Sequence, residues 1–169
     1  MLSYPENIHT ILTAVFNSGA KKILDVGGGM GKFAILIREE DLSLQAQAGN
    51  MTPHPSIQID CCEDTKFFTE QPYHDFIYDN HYHVDVFSLD FPMDYDLYLF
   101  IDTVEHWDKE KAKEMLSKLP GKKLISTPKN TTMYEEHFYG DSRHHISQWN
   151  EKDFNGQDFS TDLSHIYII

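Results

Sequence analysis

The sequence predicts an α/β fold with a mostly parallel sheet. Short apolar runs alternate with segments of helical spacing, and one run ends in a glycine cluster that opens a helix. No internal repeat or low-complexity tract breaks the series. The length of 169 residues fits one domain, residues 1–169, able to bury a core without disulfides or a metal.

Each element has its own signal. Ser3-Tyr4-Pro5-Glu6 fits a capping box, with Glu6 at the third helical position. Ile8, Ile11, Leu12, Val15 and Phe16 follow at helical spacing, and Asn17-Ser18-Gly19 ends that helix. Residues 22–26 form a strand, and Gly27, Gly28, Gly29 and Gly31 turn the chain into a helix over 32–40. That helix is expected to bury Phe33, Ile35, Leu36 and Ile37. Residues 41–55 read as an irregular insertion. Further strands are expected at 56–62, 81–86, 95–101 and 122–127, with a helix over 109–119 closed by Pro120-Gly121. One helical turn is expected at 150–154, then two short strands between Asp158 and Ile169 with a turn near Ser164.

Composition narrows the function. Lys and Arg number 14 against 27 Asp and Glu, a formal charge of −13. Non-specific nucleic-acid binding rests on clustered Lys and Arg and is not expected. No apolar run is long enough to span a bilayer, and the N-terminal residues are not expected to be a secretory leader, unless one was already removed. Cys61 and Cys62 are adjacent, poorly placed to bridge each other, and read as reduced core residues of a cytoplasmic protein. No G-x-S-x-G elbow argues for a serine hydrolase.

The strongest local signal is Asp25-Val26-Gly27-Gly28-Gly29-Met30-Gly31-Lys32. Glycines allow a sharp turn and close approach of a ligand, and the following helix offers free N–H donors. A phosphate-binding P-loop would need Gly at Val26 and Ser or Thr at Phe33. The dinucleotide fingerprint would need Gly or Ala at Lys32. The pattern that fits is D-x-G-x-G-x-G.

That pattern resembles motif I of the class I S-adenosylmethionine-dependent methyltransferases. Ile59-Asp60-Cys61-Cys62-Glu63 resembles their second strand ending in an acid. The stretch Asp75 to Asp85 resembles the approach to the third strand in a small methyltransferase-like subgroup of microbes and their viruses. Tyr95-Asp96-Leu97 into Asp102-Thr103-Val104-Glu105-His106 resembles the fourth strand and its loop. Ser126-Thr127-Pro128-Lys129-Asn130 and His145-Ile146-Ser147-Gln148-Trp149 with Asp153-Phe154 resemble two further segments. These blocks stand in family order over about residues 20–155.

The resemblance implies a Rossmann-like sandwich with a short antiparallel strand at one edge, and S-adenosylmethionine as cofactor. It implies that Gly27, Gly29 and Gly31 pass under the methionine part of the cofactor, and that Asp25 orients the loop or meets the amino group. Glu63 is the implied ribose acceptor, with Asp60 and Asp64 as competitors. Asp85 and the Val86 N–H are implied at adenine, and Ile101 and Asp102 near the sulfur. His106 and His145 are the candidates for catalysis, each with a structural role as the competing reading. Residues 129–149 are expected to form an acceptor loop, with Tyr134, His137, Phe138, Tyr139, His144, His145 and Trp149 lining a pocket or packing among themselves.

His81-x-His83 and His144-His145 invite a metal reading, but no metal motif is present and none is expected. The implied activity is methyl transfer to a small molecule, glycan or protein. The alternatives are a cofactor-binding protein without transfer activity and an enzyme that degrades the cofactor. The small size leaves acceptor recognition to loops, the first helix, a second copy or a partner subunit.

Overall fold

The computed structural model describes residues 4–65, 68, 70–130, 135–138 and 141–169, with the backbone alone at 135–138 and 141–144. Helix α1 runs over Asn7–Ser18 and buries Ile11, Ala14 and Val15. Gly19 closes it at φ 72°, a left-handed conformation that glycine adopts without a Cβ penalty. The expected capping box is corrected. Ser3 lies outside the described residues, and Glu6 is the N-cap position with no side-chain cap bond. Asn7 is the polar anchor instead. It is buried, donates from Nδ2 to Ser164 Oγ at 2.7 Å and accepts from the Thr161 hydroxyl at 2.8 Å.

Strand β1 (Lys22–Val26) leads through the glycine turn into α2, which runs over Lys32–Gln47. The helix therefore takes the first half of the supposed insertion at 41–55. Asp41 explains the difference. It is buried on the inner face, where its carboxylate accepts the Ser56 N–H and hydroxyl, each at 2.6 Å. A charged residue that reads as surface is thus an anchor one turn beyond Ile37. The buried face is Phe33, Ala34, Ile37 and Asp41, whereas Ile35 is exposed.

The remaining elements are β2 (Gln58–Cys62), α3 (His74–Ile77), β3 (His81–Tyr82), β4 (Leu97–Ile101), α4 (Lys109–Lys118), β5 (Lys122–Pro128), β6 (Glu135–Phe138), β7 (Asp141–His144), β8 (Gln157–Asp158) and β9 (Ser164–Ile168). Strand β3 stops at Tyr82 rather than 86, because Asp85 caps a 3-10 turn over Val86–Ser88. The 129–149 segment contains the antiparallel pair β6–β7. The expected turn near Ser164 is the bend at 162–163, and Ser164 itself is the first residue of β9.

Among the described residues, the main sheet has seven strands in the order β3-β2-β1-β4-β5-β9-β8. Strands β1 to β5 are mutually parallel, and β9 runs antiparallel to both β5 and β8. The antiparallel strand therefore lies one place in from the edge. Alternate strand residues feed two cores. Ile23, Ile59, Leu97 and Leu99 pack with α1 and α2, while Leu24, Tyr98, Phe100 and Ile125 pack with α4, Trp149 and Phe154. That two-sided burial explains why β4 is a continuous apolar run.

Strand β1 lies between β2 and β4, so the strand order reverses at its carboxyl end. That crevice is where open α/β sheets bind ligands.

Candidate functional site

The glycine turn is built from both neighbours of β1. The Gly27 N–H donates to the Cys62 carbonyl at 2.8 Å, which ties the turn to the end of β2. On the β4 side, Thr103 Oγ1 donates to the Val26 carbonyl at 3.2 Å. Gly27 has φ +69°, and a Cβ there would lie 2.9 Å from Thr103 Cγ2. Gly29 differs: a Cβ there would meet only the Gly27 carbonyl, at 3.9 Å, among the described residues. Gly31 is the N-cap of α2, with no side chain to cap the helix. The turn thus presents an open backbone face beside a helix N-terminus.

Asp25 lies beneath this turn. It is buried and accepts the Tyr78 hydroxyl at 2.8 Å. Burial pushes its carboxyl up to about 6, against the lowering effect of the Tyr78 bond, and the Glu63 charge adds to the rise. This position suits the loop-orienting role rather than direct ligand contact.

Of the three acids around the end of β2, Glu63 bonds to the glycine turn. Its Oε2 accepts the Gly29 N–H at 3.3 Å, and its Oε1 accepts the Thr65 N–H at 2.9 Å. Asp60 is engaged elsewhere. It accepts from Tyr95 Oη at 2.6 Å, Asn80 Nδ2 at 3.0 Å and Gln58 Nε2 at 3.0 Å. Asp64 is exposed and accepts the Thr65 hydroxyl at 3.2 Å. Asp85 is exposed beyond β3, where Oδ1 accepts the Phe87 N–H at 2.9 Å, and Val86 beside it is buried.

At the end of β4, Ile101 is buried and Asp102 adopts φ 50°. A left-handed non-glycine residue at a strand end is uncommon and marks functional sites more often than chance. A 3-10 turn over Val104–His106 follows. Within it Glu105 is fully buried, and desolvation, then the Asp102 charge, push its carboxyl up to about 8.

His106 and His145 are 39 positions apart in sequence, yet their rings meet edge-to-face at 4.9 Å. The His145 segment is clamped in place. The Ile146 and Ser147 N–H groups donate to the Glu105 carbonyl at 2.9 and 3.1 Å. The Ser147 hydroxyl donates to the Val104 carbonyl at 3.2 Å, and the Trp149 indole N–H donates to Ser147 Oγ at 2.9 Å. One ligand atom each from Glu105, His106 and His145 lies within 4.8 Å of the others. Sequence reasoning missed Glu105 as a site residue. Its signal was an acid beside a histidine just past a buried strand.

Other expectations fare differently. Trp149 does not line a pocket; it is buried and stacks on Phe154 at 5.5 Å. Tyr134 and Tyr139 lie outside the described residues, as do the side chains of His137, Phe138 and His144. His81 and His83 stack at 6.0 Å, and His74 stacks on His81 at 5.4 Å. Cys61 and Cys62 are buried free thiols. Desolvation raises both, Cys62 to about 12, so neither is an activated nucleophile.

No protein-family model and no curated sequence matches the chain. Solved structures do. The methyltransferase domain of bacterial CtHen1-C matches with a TM-score of 0.63 at 16% identity, covering 96% of this chain and 95% of that one. The fold is that of the class I methyltransferases. Magnesium protoporphyrin IX methyltransferase from Synechocystis PCC 6803, with bound SAM, matches with a TM-score of 0.61 at 13% identity, covering 96% of this chain and 77% of that one. Mitomycin 7-O-methyltransferase gives 0.51 at 16% identity, over 73% of this chain but only 36% of its own length. The methyltransferase fold places the glycine turn, Glu63, Asp102 and the His106–His145 pair along one carboxyl end of its parallel strands. No helix among the described residues is long and apolar enough to cross a membrane.

Proposed function

We propose that the chain is an S-adenosylmethionine-dependent methyltransferase. The observation that carries this reading is the Glu63 carboxylate on the Gly29 N–H, an acid at the tip of β2 beside an open glycine turn. The donor set fits the cofactor's chemistry. A carboxylate can accept about four hydrogen bonds and suits paired ribose hydroxyls. The open face at Gly29 leaves room for the methionine part, and the α2 N-terminus attracts its carboxylate. Asp85 and Val86 suit the adenine edge, with the acid accepting from the exocyclic amine. The neighbour with bound SAM supports the same cofactor.

The cofactor, when bound, supplies a methyl group already activated on sulfur. The chain then has to hold donor and acceptor in line and exclude water. Ile101 and Asp102 lie where the sulfur end belongs. His145 and His106 flank the acceptor side, beside the place where a hydroxyl or amine acceptor loses its proton. The charge of −13 favours a small molecule, glycan or protein over nucleic acid as acceptor.

Calorimetry with S-adenosylmethionine and its demethylated product tests the reading. Both are expected to bind the purified chain, and Glu63→Ala and Asp85→Ala each to weaken binding. Incubation with acceptor pools is expected to yield demethylated cofactor only when acceptor is present. Acceptor-free breakdown, or no binding by the wild-type chain, would overturn it.

A further inference from the structure

The Glu105, His106 and His145 group is assembled from two chain segments and is not needed to hold the cofactor. We propose that it is a divalent-cation site, with Glu105 Oε, one nitrogen of His106 and one nitrogen of His145 as ligands. The ligand atoms lie within 4.8 Å of one another. A tetrahedral shell at zinc-like bond lengths needs them about 3.4 Å apart, so modest side-chain rotation closes it. Two imidazoles and one carboxylate suit a borderline ion such as Zn²⁺ or Fe²⁺ rather than Ca²⁺.

Three further features favour a cation here. Glu105 is fully buried, and a bound cation gives its carboxylate a counter-charge there. The clamp from Ile146 and Ser147 to the Glu105 carbonyl fixes the spacing between the two ligand segments, as supporting bonds do around metal ligands. His106 is only half-buried, which gives the ion an entry path and leaves coordination positions open toward solvent. No short sequence pattern marks this site, because its third ligand lies 39 residues beyond the second.

The test is a Co²⁺ titration of EDTA-treated protein, followed by visible absorption, with Zn²⁺ as competitor. One saturable Co²⁺ per chain, displaced by Zn²⁺, is expected. Glu105→Gln, His106→Gln and His145→Ala are each expected to weaken binding by about tenfold or more. His83→Ala is expected to leave it unchanged. Circular dichroism identifies the variants that keep the fold, and only those are read. No saturable spectrum, a spectrum retained in the folded variants, or one lost in His83→Ala would overturn the proposal. Ion binding does not depend on methyl transfer. Co²⁺ binding without S-adenosylmethionine binding would sustain the metal site and remove the enzymatic reading.

Discussion

The Tyr78 hydroxyl donates to Asp25 Oδ2 at 2.8 Å within the buried floor of the glycine turn. It links the residue after α3 to the middle of the sheet across 53 positions of sequence. The bond opposes desolvation, which raises the Asp25 carboxyl to about 6. A raised acid contributes a penalty that grows as pH climbs from its unfolded value to its folded one. Tyr78→Phe removes the opposing bond and extends that penalty above pH 6. The expected cost is about 1.5–3 kcal/mol near pH 7.5, where Asp25 is ionised, and clearly less at pH 5. Urea unfolding of both proteins at the two pH values checks this; an equal deficit at both would refute it.

Gly28 depends on the same pair. A Cβ there would stand 2.5 Å from Tyr78 Oη and 3.1 Å from both Asp25 Oδ2 and Cys61 Sγ. Its backbone φ is not positive, so the requirement for glycine is one of space. Gly28→Ala is expected to destabilise by about 1–3 kcal/mol through overpacking. In a Tyr78→Phe background the nearest obstructing atom is gone, and the added cost of Gly28→Ala should shrink by about 0.5 kcal/mol or more. A double-mutant cycle measures the coupling, and strict additivity would count against it.

The sequence made the order of elements readable because the continuous apolar run at Leu97–Ile101, and the short apolar strand at Lys22–Val26 running into its glycines, allow little but buried strands. Glu63 was legible only through the family resemblance at the end of β2, with Asp60 and Asp64 as competitors. What stayed hidden lies in long-range pairing. Asp41 and Glu105 are acids that read as solvated until Ser56 or the end of β4 encloses them. The continuation of α2 to Gln47 depends on that Asp41 anchor rather than on apolar spacing. Trp149 leaves a pocket role and a packed role both open until its indole N–H is found on Ser147. In each case the deciding partner is distant in sequence, or is a backbone group that carries no sequence signal.

Glu105 sets a pH dependence of its own. Its folded carboxyl lies at about 8, above the ordinary 4.5, so it stays protonated in the folded chain while the unfolded chain ionises. The folded state therefore loses stability as pH rises between those values, at up to about 1.4 kcal/mol per pH unit. Asp25 completes its own change near pH 6, which leaves the window from 6 to 8 to Glu105 among these two. In EDTA, the stability of Glu105→Gln relative to wild type is expected to improve steadily from pH 6 to pH 8. A flat difference across that window would show that Glu105 is ionised in the fold.

The segment from His145 to Trp149 is held by its side chains as much as by its backbone. The Trp149 indole N–H donates to Ser147 Oγ at 2.9 Å and to the Val104 carbonyl at 3.3 Å. Lys109 adds a bond to the Gln148 carbonyl at 2.9 Å and lies over the Trp149 ring. Trp149→Phe keeps an aromatic ring against Phe154 but deletes both indole bonds, at about 1 kcal/mol each or less. The loss falls first on the clamp, because the Ile146 and Ser147 amides bond only across to the Glu105 carbonyl. Their hydrogen exchange is expected to speed up by about tenfold in Trp149→Phe, while amides in β1 and β4 slow or speed only with global stability. Ser147→Ala should give the same local signature through the same carbonyl. Exchange at Ile146 and Ser147 that follows the global change alone would mean that the backbone bonds hold His145 beside His106 without the indole.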